Sequence, residues 1–326
     1  MTDPTGAVTP EAIPGSPFLT LPGAVEQADA VDHGVPSHYG SPNIEQRLIA
    51  SGKAIVDLSN RGIVTVTGPD RLSWLNSITS QELRSLSAGI STETLFLDQS
   101  GRIEHAVKLL DDGTTTWLVT EADDAAPLHA WLDRMRFMLR VEVAIVTEQY
   151  AVIGAAAGLA VAAAEPNGMP LVWHDPWSEV AVGGHQYATG EHPGAAWTWT
   201  ETIVAREQLE SLVQQIRAGA FSAAGSLAAE ALRIAAWRPR AATEVDATTI
   251  PHELDWLRSA VHLSKGCYRG QETVAKVHNL GHPPRRLVLL HLDGSDNVQL
   301  SAGDEVRDGD KVVGRITAAV THHELG

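Results

Sequence analysis

Residues 265–272 read KGCYRGQE and contain Cys267, the only cysteine in a chain of 326 residues. A thiolate is a nucleophile and a metal ligand, and the charges around a cysteine decide how much thiolate is present. Lys265 and Arg269 each stand two residues from Cys267, and a helix is expected to begin after Gly270; all three influences favour the thiolate. Gly266 and Gly270 bracket Cys267-Tyr268-Arg269 and permit a tight backbone or close approach to another molecule. Gly270 suits an N-cap, with Gln271 and Glu272 in the first turn and Glu272 at the positive end of the helix dipole. The competing account is a small, inert, buried cysteine beside a helix cap, and on these features alone the two stand level. One thiolate cannot hold an iron–sulfur cluster, which takes about four ligands.

The elements that must position this segment follow from pattern. Val274, Val277 and Leu280 give the helix after Gly270 an apolar face, and Gly281 with two prolines ends it. Strands are expected at 55–58 and 62–67, followed by a helix after Gly68-Pro69-Asp70 with Leu72, Leu75 and Ile78 at helical spacing. Strands at 94–98, 103–110 and 116–120 are separated by a turn at 99–101 and by Asp111-Asp112-Gly113, a hairpin signal. A helix through Leu128, Leu132, Met135 and Leu139 precedes a strand at 141–147. The second half repeats the mixture, with strands at 151–154, 171–174 and 180–182, helices at 203–217 and 227–237, and a Gly/Ala-rich connector at 218–225. Without a strict βαβ rhythm, the fold class is α+β. Short strands at 287–292, 305–307 and 311–320 suggest a small C-terminal β-barrel, complete or short of one closing strand.

Four segments are therefore expected: a mobile or loosely docked arm at 1–42, subdomains at 43–148 and 149–282, and the barrel at 283–326. With 24 basic against 40 acidic residues the formal charge is −16, so a polyphosphate partner is not expected. A single cysteine excludes an intrachain disulfide and fits a reducing compartment. No stretch is apolar enough to span a membrane and the N-terminus lacks the basic start of a secretory signal, so a cytoplasmic monomer is expected. Fourteen histidines include no HExxH or other convincing ligand spacing, so no metal site is expected. No GxGxxG or P-loop signals a nucleotide. Arg238 with Arg240, and Arg285 with Arg286, are small basic pairs that could meet an anionic ligand, but are too few for RNA.

The segment LSKGCYRGQETVAKV is very similar to the signature of the YgfZ-type folate-binding proteins, relatives of the glycine-cleavage T-protein. IVDLSNRGIVTVTGPDRLSWLNSITSQEL resembles that superfamily's N-terminal strand–Gly–helix signature, LRIAAWRP its "L-R-x-E-x-G" helix end, and TIPHEL its "P-x-E" element. The resemblance runs from about Ala54 to the last strand. It implies a T-protein-like fold around a central tetrahydrofolate pocket and a role in assembly or repair of iron–sulfur clusters in client enzymes, touching tRNA modification only indirectly. By motif position, Glu253 would face the pterin, whose amino group and ring N–H offer two donors to one carboxylate, and Arg233 would lie near the pocket. The functional motif would comprise Lys265, Gly266, Cys267, Tyr268, Gly270, Gln271 and Glu272.

Two departures modify that expectation. Where the T-protein carries an Asp-Asp pair, the sequence here is Gly101-Arg102-Ile103-Glu104-His105-Ala106, with His105 at the first acid's place and Glu104 beside it. An acid to handle the folate nitrogen proton is missing unless Glu104 serves. The glutamate of "R-x-E" is replaced by Ala235. A folate-dependent accessory factor acting through Cys267 is thus the expectation, with a folate-dependent aminomethyl transferase the alternative.

Overall fold

The computed structural model describes residues 15–27, 31–156, 158–292 and 300–325. In the first half, helix α1 (Pro42–Ala50) leads to β1 (Ala54–Asp57), β2 (Gly62–Thr67), α2 (Arg71–Ile78), β3 (Ser91–Leu97), β4 (Ile103–Asp111), β5 (Thr115–Thr120), α3 (Ala125–Met135) and β6 (Glu142–Ile145). Five of these strands form one antiparallel sheet in the order β3-β4-β5-β2-β6. Side chains alternate across it, as the two-residue repeat of a strand requires. Val64, Val66 and Leu118 pack under α2 and α3 with Trp74, Leu75, Leu128 and Trp131. Ile63, Trp117 and Val119 point the other way, into a second core.

That second core is shared with a five-stranded sheet built from β1, β7 (Tyr150–Ala156), β8 (Val172–His174), β9 (Trp199–Ala205) and, beyond α4 (Gln208–Arg217), β10 (Ser222–Ala224). Its order is β10-β1-β7-β9-β8, with β1 and β10 parallel and the other pairs antiparallel. Because β1 joins this sheet, the expected break at 148/149 separates β6 from β7 but does not separate the two cores. Leu209, Leu212 and Val213 of α4 cover the sheet's outer face. The layers run helices, sheet, sheet, helix, consistent with α+β architecture.

Three expectations are corrected here. Residues 180–182 form no strand; 199–205, expected partly as helix, is β9, and the helix begins only at Gln208; the connector at 218–225 contains β10. The arm is docked wherever it is described: Phe18 is fully buried, Ser16 Oγ donates to Asp57, and Val25 pairs with His38. Residues 1–14 and 28–30 of the expected arm lie outside the described residues.

After α5 (Ser226–Ala235), α6 (Ala241–Glu244) and α7 (Gln271–Leu280), the described C-terminal residues carry an antiparallel hairpin of β11 (Glu305–Asp308) and β12 (Lys311–Arg315). Residues 287–292 are not a strand and β12 stops at Arg315, so no closed barrel is formed among the described residues; 293–299 and 326 fall outside them. The segment is tied back by Leu287 N to Glu253 O at 2.7 Å and by Gln46 Nε2 to Thr321 O at 3.0 Å.

Candidate functional site: a braced thiol loop and a charged central cavity

The KGCYRGQE loop is fixed by the residues on either side of its cysteine. Lys265 is buried, and its ammonium donates to the carbonyls of Asn76, Thr79 and Gln81 at 2.7, 2.7 and 2.6 Å, closing the C-terminal end of α2. It also lies over the Tyr268 ring, 5.1 Å from the centroid. Burial pushes the Lys265 pKa down to about 8. Tyr268 and Val274 enter an apolar cluster with Leu95, Leu97, Ile103 and Trp256, and burial raises the Tyr268 hydroxyl well above its ordinary value. Gln271 Nε2 donates to Lys265 O at 3.2 Å.

Gly270 has φ +83°, and a Cβ there would lie 2.6 Å from Asp98 O and 2.9 Å from Gly101 Cα. Both left-handed backbone and close approach therefore demand glycine. Gly266 has open space around it. Cys267 is exposed, as is Glu272 in the first turn of α7. The two cations expected to act on the sulfur are engaged by oxygens: Lys265 by three carbonyls and Arg269 by Glu104, Nη1 to Oε2 at 2.6 Å.

Glu104 is thus a brace for the loop rather than a free acid. His105 is buried and its Nδ1 lies 2.6 Å from Asp124 Oδ1. Ala106, the other position of the expected acid pair, borders a cavity of about 100 Å³ between the two sheets.

That cavity is walled by charge. Lys108 of β4 is bonded to Glu201 of β9; Arg238 donates to Glu93 Oε2 at 2.6 Å and to Asp175 Oδ2 at 3.0 Å. At one end, Asp32 from the arm takes both Nη groups of Arg240 at 2.8 Å, with Arg61 at 3.3 Å. Burial raises the Asp32 and Glu201 carboxyls, but Arg61 with Arg240 and Lys108 with Arg61 respectively outweigh it and hold both below the ordinary range. Glu93 Oε1, Glu201 Oε2, Arg238 Nη1 and Arg61 Nε are all buried without a partner. Orphaned buried polar atoms are costly and uncommon, and these four gather at one cavity.

Arg233 borders this cavity and also a cleft of about 1850 Å³ facing the C-terminal segment. It is neutralised by Glu230, Nε to Oε2 at 2.8 Å, and by Glu244 at 3.2 Å. Glu253 borders only the large cleft, where Arg285 reaches its Oε2 at 2.7 Å; burial raises its pKa. The structure thus brings Glu253 and Arg233 to the cleft, and sets the thiol loop apart, against the β3–β4 turn. Sequence reasoning missed Glu93, Lys108 and Glu201. The signal was clearest at Lys108, a charge between Val107 and Leu109 on a strand, a placement that needs a buried partner.

Among the described residues, no group of three or more His, Cys, Asp or Glu is placed to hold a metal ion. No described helix is long and apolar enough to cross a membrane.

Residues 27–161 match the GCVT N-terminal domain. A protein of Arabidopsis thaliana named as a chloroplastic transferase is 26% identical over 312 residues, covering 88% of this chain and 66% of that relative. A protein of Thermococcus gammatolerans named as a probable aminomethyltransferase is 26% identical over 103 residues, 31% of this chain and 26% of its own length. The chain therefore spans just under two thirds of the first relative and about a quarter of the second. Glycine cleavage aminomethyltransferase T from Bartonella henselae superposes with a TM-score of 0.63 at 16% identity, over 80% of this chain and 72% of that one. Residues 27–161 thus resemble the GCVT N-terminal domain, and the chain shares the fold of that aminomethyltransferase T structure.

Proposed function

We propose that the protein binds a reduced folate in the central cavity and serves as an accessory factor for iron–sulfur enzymes through Cys267. The observation that carries the folate reading is the set of orphaned atoms at the cavity. Carboxylate oxygens of Glu93 and Glu201 and the Nη1 of Arg238 are unpartnered there. A 2-amino-4-oxo pyrimidine edge offers N–H donors for the first two and a carbonyl for the third. The cavity, about 100 Å³, is smaller than an engineered cavity of roughly 150 Å³ that takes one benzene. A bicyclic pterin therefore enters only as a side chain withdraws, and Lys108, on its flexible stem, is the one to move.

Aminomethyl transfer is disfavoured by Ala106, which has no proton to exchange where an acid is expected, and by the engagement of Glu104 with Arg269. What this chain does offer is one exposed thiol on a loop anchored at both ends. It can supply a single ligand or nucleophile to a client, which must bring the rest.

Calorimetric titration with 5-formyltetrahydrofolate tests the pocket. Micromolar binding that weakens at least tenfold in Glu201→Gln, but not in Glu253→Ala, is expected; no binding at millimolar ligand would end the folate reading. The reverse pattern would move the folate to the large cleft. Cys267→Ala should keep fold and folate affinity while failing to restore cluster-enzyme activity in a deletion strain. Full restoration would remove the thiol role.

A further inference from the structure

We propose that the loop after α3, tipped by Phe137 and Met138, is a docking knob for a partner protein that presents an apolar pocket with an acidic rim. Phe137 is 82% exposed and Met138 98%, with Leu139 beside them at 41%. Phe137 sits at φ +46°, a left-handed backbone that a bulky aromatic residue rarely adopts and that clusters at functional surfaces.

The base of the loop is braced. Arg140 grips Asp70 through its backbone N at 3.0 Å and through Nε and Nη2 at 3.0 and 2.7 Å. Arg136 pairs with Asp133 at 2.8 Å, and Leu139 N closes the turn on Arg136 O at 3.0 Å. Gly68, with φ +108°, leaves room for Arg140 O, which a Cβ there would meet at 2.1 Å. An anchored base under an exposed apolar tip has little conformational entropy to lose on binding.

Charge identifies the occupant. In a chain of net charge −16, residues 134–140 read RMRFMLR and carry no acid. Arg134 makes no ion pair among the described residues, and Arg136 and Arg140, each paired with one acid at the base, remain 42% and 73% exposed. An aromatic residue and a methionine ringed by arginines is the composition enriched at protein interfaces. A lipid surface fits poorly: a single fourteen-carbon acyl chain binds membranes only marginally, and two side chains bury less.

The knob also lies near the thiol. Arg269, two residues past Cys267, packs 6.0 Å over the ring of Trp131 on α3, six residues before Phe137. The path from Cys267 to Phe137 is at most roughly 30 Å. A standard interface of about 800 Å² per partner is about that wide, so the knob and Cys267 lie within the span of one partner. This holds whether or not the cavity takes folate.

The test places the photocrosslinker p-benzoylphenylalanine at position 138 of the full chain in its own cells, with position 145 as control. The crosslinked protein is then purified and titrated against the wild type. One partner is expected, with affinity that falls with salt, drops at least 30-fold in Phe137→Ser/Met138→Ser and about fivefold in Arg134→Glu, at unchanged melting temperature. Crosslinks to lipid, to a second copy, or equally from position 145 would overturn the proposal. So would no crosslink, or a partner whose affinity ignores these substitutions.

Discussion

Gly270 and Gly101 meet back to back: a Cβ on Gly270 would stand 2.9 Å from Gly101 Cα, and one on Gly101 would stand 3.2 Å from Gly270 O. The thiol loop is therefore seated directly on the turn between β3 and β4. Gly270→Ala should cost roughly 2–4 kcal/mol, combining a left-handed backbone with a clash against Asp98 O. Gly266→Ala should stay within about 0.5 kcal/mol, as surface changes away from contacts do. Urea unfolding of the two variants checks the contrast; equal losses would mean the loop is not seated as described.

Lys265 acts as a clamp on α2. Replacing it by Met removes three bonds from a charged donor to buried carbonyls, for an expected loss of roughly 2–4 kcal/mol. Because its ammonium is already engaged by those carbonyls, the same change should alter the iodoacetamide labelling rate of Cys267 less than twofold in the folded protein. A tenfold fall would show instead that Lys265 activates the sulfur.

Asp255 should make stability fall as pH rises. Burial lifts its folded pKa from 3.8 to about 6, and its Oδ2 accepts no hydrogen bond, His192 Nε2 standing 3.6 Å away. Between those values the folded state holds more protons than the unfolded state, so stability declines across that window and stays lower above it. At about 1.4 kcal/mol per unit, Asp255→Asn should stabilise by up to about 3 kcal/mol at pH 7.5. The gain should shrink toward zero by pH 4. Asn also tolerates the left-handed backbone at φ +54°. Denaturation at the two pH values reads the difference, and a gain independent of pH would exclude this cause.

Lys108 and Glu201 should couple strongly. Each single change, Lys108→Met or Glu201→Gln, leaves an uncompensated buried group and should cost about 2–4 kcal/mol; the double variant should cost less than the sum. A double-mutant cycle by denaturation measures it. Strict additivity would mean the two do not meet across the cavity.

Much of this protein was decided locally and could be read from residue order. The Asp111-Asp112-Gly113 turn, the alternation of β2 and the limits of α7 between Gly270 and Gly281, at φ +83° and +90°, depend on neighbours a few residues apart. Short-range sterics and hydrogen bonding suffice for these. The KGCYRGQE motif was legible too, as was the T-protein likeness. What needed the tertiary structure was long-range. Ser222-Ala223-Ala224 carries no strand signal and becomes β10 only because β1 lies beside it. Residues 199–205 suit helix or strand until β7 and β8 pair with them. Arg61, Glu93, Lys108, Glu201 and Arg238 lie far apart in the sequence with no shared motif, and only two facing sheets bring them to one cavity. Lys265 and Arg269 looked like neighbours of the thiol, but folding turned one to the end of α2 and the other to Glu104, because a cation leaving water takes the nearest oxygens that satisfy it.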